Sequence, residues 1–145
     1  MQKILFVCHG NICRSPMAEF IFKKMVADAG RADEFEIDSV ATSTEEIGND
    51  MYPPAKACLR RHGIPFTHRA ARQMTRADYR HYDRIFLMDR NNLRWLKYLG
   101  IDDTDGKVQL LMSLTGNPRD VADPWYTDDF EQTYDDICLA LPQLL

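Results

Sequence analysis

Lys3–Pro16 reads KILFVCHGNICRSP. Its first six residues are a continuous apolar run, the pattern of a short strand buried on both faces of a parallel sheet. Ser15 is a favourable helix N-cap, and Pro16 suits a first helical position. Ala18, Ile21, Phe22, Met25, Val26 and Ala29 then repeat at the spacing of one helix face, and Gly30 is a natural stop. The stretch therefore predicts a strand, a tight loop from Cys8 to Ser15, and a helix. The same alternation continues along the chain. Phe35–Ala41 reads as a strand and Thr42–Tyr52 as a polar loop. Pro53 opens a helix that ends near His62-Gly63, and Thr75 caps a short helix reaching His81. Arg84–Met88 is another buried strand, followed by a helix from Arg90 to Leu99. Lys107–Leu110 is a weaker fourth strand, and Ser113–Thr127 is a long loop. Asp128 with Glu131 makes a capping box for a last helix with the apolar face Phe130, Tyr134, Ile137, Cys138 and Leu141, which Pro142 ends or kinks. Strands alternating with helices imply right-handed crossovers. The expectation is one three-layer α/β domain over residues 1–145, a four-stranded parallel sheet with helices on both faces.

Composition bounds what such a domain does. The 145 residues carry a formal net charge of −4, with 45% hydrophobic and 28% charged residues. That is the profile of a globular chain with room for a core. The charge argues against a broad nucleic-acid surface, and no apolar run approaches a membrane span. The first residues lack a signal-peptide layout. The four cysteines show no disulfide-scaffold spacing. The expectations are a cytoplasmic location, no membrane or nucleic-acid partner, and no metal or other cofactor. An anion would have to be held by local groups.

The loop after the first strand is built for that. Ligands of open α/β sheets sit beyond the carboxyl ends of strands, where helix N-termini present free N–H groups and a positive dipole end. Gly10 and Asn11 tolerate the positive φ that a curled anion nest needs. Arg14 adds a planar fork for two phosphate oxygens. The same positive field favours the thiolate of Cys8, a ready nucleophile. The plain alternative is that Cys8 is a small buried hydrophobe at a strand end. The surrounding order of strand, Cys, Gly-containing loop, Arg, Ser and Pro favours chemistry. The reaction implied is displacement at phosphorus through a thiophosphate. In the long loop, Asp123-Pro124 is by composition more commonly a turn initiator, and ordinary core packing is the plain alternative for Trp125 and Tyr126.

The stretch Val7–Pro16, with Asp38-Ser39, His62-Gly63, His68–Gln73, Met88-Asp89 followed by Asn92, and Asp123-Pro124 in that order, resembles the low-molecular-weight protein tyrosine phosphatases. The resemblance implies sheet order 2-1-3-4 with a phosphate-binding loop after strand 1. It implies hydrolysis of phosphotyrosine in proteins, and of small aryl phosphates, with inorganic phosphate as product. It makes Cys8 the nucleophile and Asp123 the general acid and base. His9, Gly10, Asn11, Ile12, Cys13 and Arg14 become the phosphate cradle. Ser15 becomes a hydroxyl bonded to the thiolate, and Asn11, Ser39 and His68 a network that holds the loop. Cys13 becomes a redox partner of Cys8, able to form a disulfide with it under oxidant. Ile12, Glu45, Trp125 and Tyr126 would line the substrate cleft, with Glu45 where animal members often carry an aromatic and Trp125 where many have Tyr. A monomer or weak dimer is expected.

Two related chemistries compete. Arsenate reductases of this fold need further cysteines after the third strand, and Leu87–Asn92 contains none. Arginine phosphatases carry Thr where this chain has Ile12, a branched apolar residue better suited to an aromatic ring.

Overall fold

A computed structural model describes residues 1–145. The elements are β1 (Gln2–Cys8), α1 (Arg14–Asp28), β2 (Phe35–Ala41), α2 (Pro53–Arg61), α3 (Arg76–His81), β3 (Arg84–Leu87), α4 (Arg90–Tyr98), β4 (Val108–Leu110), α5 (Pro124–Thr127) and α6 (Phe130–Ala140). All strand pairs are parallel, in the order β2-β1-β3-β4. Ile4 to Cys8 of β1 are buried because β1 is the inner strand on which both halves of the sheet pair.

Alternation along β1 sends its side chains into two cores. Ile4, Phe6 and Cys8 face α1, α2 and α6, where Phe6 packs edge-on against Phe22. Leu5 and Val7 face α3 and α4, among Tyr79, Tyr82, Ile85 and Leu96. Strand order reverses direction at β1, with β2 on one side and β3 on the other, so the crevice beyond their carboxyl ends is the natural ligand position.

Local details differ from the sequence expectations for identifiable reasons. Helix α1 begins at Arg14 with Cys13 at the N-cap, so Pro16 sits in the third helical position. A proline is tolerated there because the first-turn N–H groups have no intrahelical acceptor. Ser15 does not cap; its hydroxyl turns back toward Cys8. At the last helix the cap is Asp129, which accepts from the Gln132 N–H, while Asp128 adopts left-handed backbone at the end of α5. The long loop is partly ordered: Leu111–Thr115 forms a 3₁₀ turn and Pro124–Thr127 a single helical turn. Ala29 is exposed at the frayed end of α1, whereas Met17 and Phe20, off the expected stripe, are buried.

Candidate active site

The cleft forms where the ends of β1, β2 and β3 meet the N-termini of α1 and α5. It encloses about 130 Å³ and is lined by Cys8, His9, Gly10, Ile12, Cys13, Arg14, Glu45, Glu46, Asp123, Trp125 and Tyr126.

Cys8 ends β1 with its sulfur nearly buried. Sγ lies 2.9 Å from Ser15 Oγ and accepts from the Asn11 N–H at 3.2 Å. Asn11 is the pivot of the loop. It is fully buried at φ +59°, a left-handed backbone that Asn tolerates better than most residues. Its Nδ2 donates to Ser15 Oγ at 2.8 Å and to Ser39 Oγ at 2.9 Å, and its Oδ1 accepts from Arg69 Nη2 and from the Arg72 N–H. Ser39 Oγ in turn donates to Glu19 Oε1 at 2.6 Å, and Lys23 Nζ holds the other Glu19 oxygen. The donors run in one direction. Because Ser15 Oγ accepts from Asn11, its hydrogen is left for Cys8 Sγ at 2.9 Å or the more distant Val40 carbonyl at 3.5 Å. The shorter path puts it on sulfur.

Gly10 does not use a positive φ. An added Cβ would lie 3.4 Å from Glu46 Cγ, an ordinary contact with a flexible side chain. The Ile12, Cys13 and Arg14 N–H groups form no hydrogen bond within the chain and remain available to an anion. Arg14 is buried and fixed on one side, Nη1 donating to Asp89 Oδ2 at 2.7 Å and to the Val121 carbonyl at 2.9 Å. Its Nη2 reaches Asp123 Oδ2 at 3.4 Å. Burial alone would weaken its charge, but Cys8, Asp123 and Asp89 outweigh that and raise the guanidinium above its ordinary value. Asp89 is itself positioned as the N-cap of α4, in a capping box with Asn92.

Asp123 is the N-cap of α5, where Oδ1 accepts from the Trp125 N–H at 3.1 Å and Oδ2 faces Arg14. Trp125 stacks obliquely on Tyr52 with ring centroids 4.9 Å apart, and both Trp125 and Tyr126 stay exposed at the mouth. Neither is a core residue. Glu45 pairs with His9 Nε2 at 3.1 Å on the opposite rim. Cys13 is buried, and burial together with Cys8 and Asp123 pushes its thiol far up, so it is neutral.

The model of the low molecular weight phosphotyrosine protein phosphatase family matches residues 3–145. The chain belongs to this family. A low molecular weight phosphotyrosine protein phosphatase of Homo sapiens is 42% identical over 138 residues, covering 92% of this chain and 87% of the relative. The crystal structure of YfkJ from Bacillus subtilis superposes with a TM-score of 0.92 at 37% identity, over 99% of this chain and 92% of the other. A drosophila arginine phosphatase superposes at 0.88 with 30% identity, over 99% of this chain and 95% of the other.

Family membership does not make every landmark residue a member of the site. Cys8, Arg14, Ser15, Asn11, Ser39 and Asp123 converge, but His68 does not. Its ring is exposed and bonds Asp50 Oδ2 at 3.1 Å, and the guanidinium of the next residue, Arg69, takes the position on Asn11. Glu19, Arg69 and Glu46 carry no signal of this role in the sequence. Asp89 stands there as a landmark without a stated role, and its N-cap pattern directly after a buried strand is the signal.

Proposed function

We propose that the chain hydrolyses phosphotyrosine in proteins through a covalent phosphocysteine. The observation that carries the reading is the convergence in one cleft of a hydrogen-bonded Cys8 sulfur, free loop N–H groups, a half-tethered Arg14 and the Asp123 carboxyl. Asp89 and the Val121 carbonyl hold Nη1 of Arg14, which leaves Nη2 and Nε for phosphate oxygens. The Ile12, Cys13 and Arg14 N–H groups complete the cradle, at the positive end of α1.

Cys8 sulfur attacks phosphorus as the phosphorus–oxygen bond to the aryl group breaks. The leaving oxygen takes the Asp123 proton, so it departs as neutral phenol. Water then attacks phosphorus and gives a proton to Asp123. The sulfur–phosphorus bond breaks and inorganic phosphate leaves. Ser15 O–H and Asn11 N–H stabilise the departing thiolate in this second step. Cys13, a neutral thiol on the cleft wall, is the proposed partner for a Cys8–Cys13 disulfide under oxidant.

A second reading, phosphoarginine, draws on the similarity to the drosophila arginine phosphatase and on the acidic rim of Glu45 and Glu46. Ile12 on the cleft wall, with Trp125 and Tyr126 at its mouth, favours a flat aromatic ring. The test is kcat/KM on matched peptides carrying phosphotyrosine or phosphoarginine, with chelator present. A strong preference for phosphotyrosine supports the proposal. A preference for phosphoarginine replaces the substrate while keeping Cys8, Arg14 and Asp123 in their roles.

A further inference from the structure

The linear sequence offers no metal-ligand spacing, yet the packing of α2 against α6 assembles a ligand set remote from the cleft. Cys58 on α2 and His62 at its C-terminal cap are four residues apart and share a face. Glu131, in the first turn of α6, meets both. The Cys58 sulfur, the His62 ring nitrogen and a Glu131 oxygen all lie within 4.8 Å of one another. His62 Nε2 is 2.6 Å from Glu131 Oε2, and Cys58 Sγ is 3.7 Å from Glu131 Oε1. Zinc–ligand bonds of about 2.0–2.3 Å place tetrahedral ligand atoms about 3.3–3.6 Å apart. Side-chain adjustments of about an ångström therefore suffice.

We propose that Cys58, His62 and Glu131 form a binding site for a thiolate-seeking divalent transition ion, Zn²⁺ or its surrogate Co²⁺, with the fourth position open to water. The donor chemistry selects such an ion over Mg²⁺ or Ca²⁺, which take oxygen ligands. A supporting shell is in place. The Tyr134 ring stacks on His62 at 3.7 Å and nearly parallel, which fixes the plane of the imidazole. Arg61 donates to Glu131 Oε1 from Nε at 2.9 Å and its Nη2 forms an ion pair with the same oxygen at 2.7 Å, which leaves Oε2 toward the histidine. His62 and Glu131 are solvent-accessible while Cys58 is fully buried, so an ion enters from the His62 side and closes over the sulfur. Binding replaces the His62–Glu131 hydrogen bond. The Cys58 thiol gives its proton to solvent as the metal–sulfur bond forms, the imidazole binds neutral, and no oxidation state changes.

The test is Co²⁺ titration of the full chain carrying Cys8→Ser and Cys13→Ser, which removes the cleft thiols from the signal. A thiolate-to-cobalt charge-transfer band with tetrahedral visible bands is expected. Adding Cys58→Ser should abolish the charge-transfer band, while Cys138→Ser should leave it. His62→Ala and Glu131→Gln, both at exposed positions, should each weaken Co²⁺ and Zn²⁺ binding tenfold or more; they carry the test should Cys58→Ser not fold. No charge-transfer band at saturating Co²⁺, a band that survives Cys58→Ser, or unchanged affinity in both exposed-site variants would overturn the proposal.

Discussion

Ser15→Ala isolates the directional hydrogen-bond chain that ends on Cys8 Sγ. The serine hydroxyl is 2.9 Å from Cys8 Sγ and receives Asn11 Nδ2 at 2.8 Å, so the substitution removes the only side-chain hydroxyl on the sulfur. A hydrogen bond to a charged group contributes about 1.5–3 kcal/mol. Its loss as Cys8 leaves phosphorus should therefore lower kcat on an aryl phosphate about ten- to a hundredfold. Breakdown of the phosphocysteine should slow more than its formation, so a burst of phenol should precede the steady state. The assay is stopped-flow release of a chromogenic phenol, with circular dichroism to check that the variant is folded. An unchanged kcat in the folded variant would refute the directional argument.

Asp123→Asn removes the proton donor while keeping the N-cap oxygen, so kcat on aryl phosphates with poor leaving groups should fall about 10²- to 10⁴-fold, and much less with strongly acidic phenols; a leaving-group series checks this. Asp78 is partly buried, which alone would raise its pKa, but bonds from Arg72 and the Thr75 N–H outweigh burial and hold it below the usual carboxylate value of 3.8. A depressed carboxylate stabilises the fold above its unfolded-state value, and that contribution is lost as pH falls through the lower folded-state value. Urea unfolding of Asp78→Asn should accordingly show a shallower loss of stability below about pH 4 than the parent protein. Gly100 ends α4 at φ +73°, where a Cβ would meet Arg76 Nη2 at 2.5 Å; Gly100→Ala should cost about 1–2 kcal/mol in unfolding free energy, chiefly from the left-handed backbone, since the arginine tip can move.

The alternation of buried strands and capped helices was legible because β1 and β3 are apolar on both faces and each is followed by a helix-start signal. The loop from Cys8 to Ser15 is equally legible, since it is continuous in sequence. What escaped is long-range. Glu19 and Arg69 lie far from Cys8 in sequence yet terminate the hydrogen-bond chain that orients Ser15. Their charges read in isolation as solvated surface, although Glu19 is buried. His68 and Arg69 are adjacent polar residues on one extended segment, and only the register of that segment against Asn11 decides which of them reaches the loop. Ser15 shows the opposite error: its helix-capping propensity is real, but the hydroxyl bonds the sulfur instead and the helix starts two residues earlier. Asp123 was named by resemblance, because an Asp–Pro pair carries no mark of catalysis until Arg14 stands 3.4 Å away.

The central claim is a phosphoryl group carried on Cys8. Rapid acid quenching of the enzyme during turnover of an aryl phosphate, with mass spectrometry of its peptides, tests this most directly. The account predicts a phosphoryl adduct on the peptide containing Cys8, absent in Cys8→Ser. A steady-state adduct on another residue, or full turnover by Cys8→Ser, would contradict it.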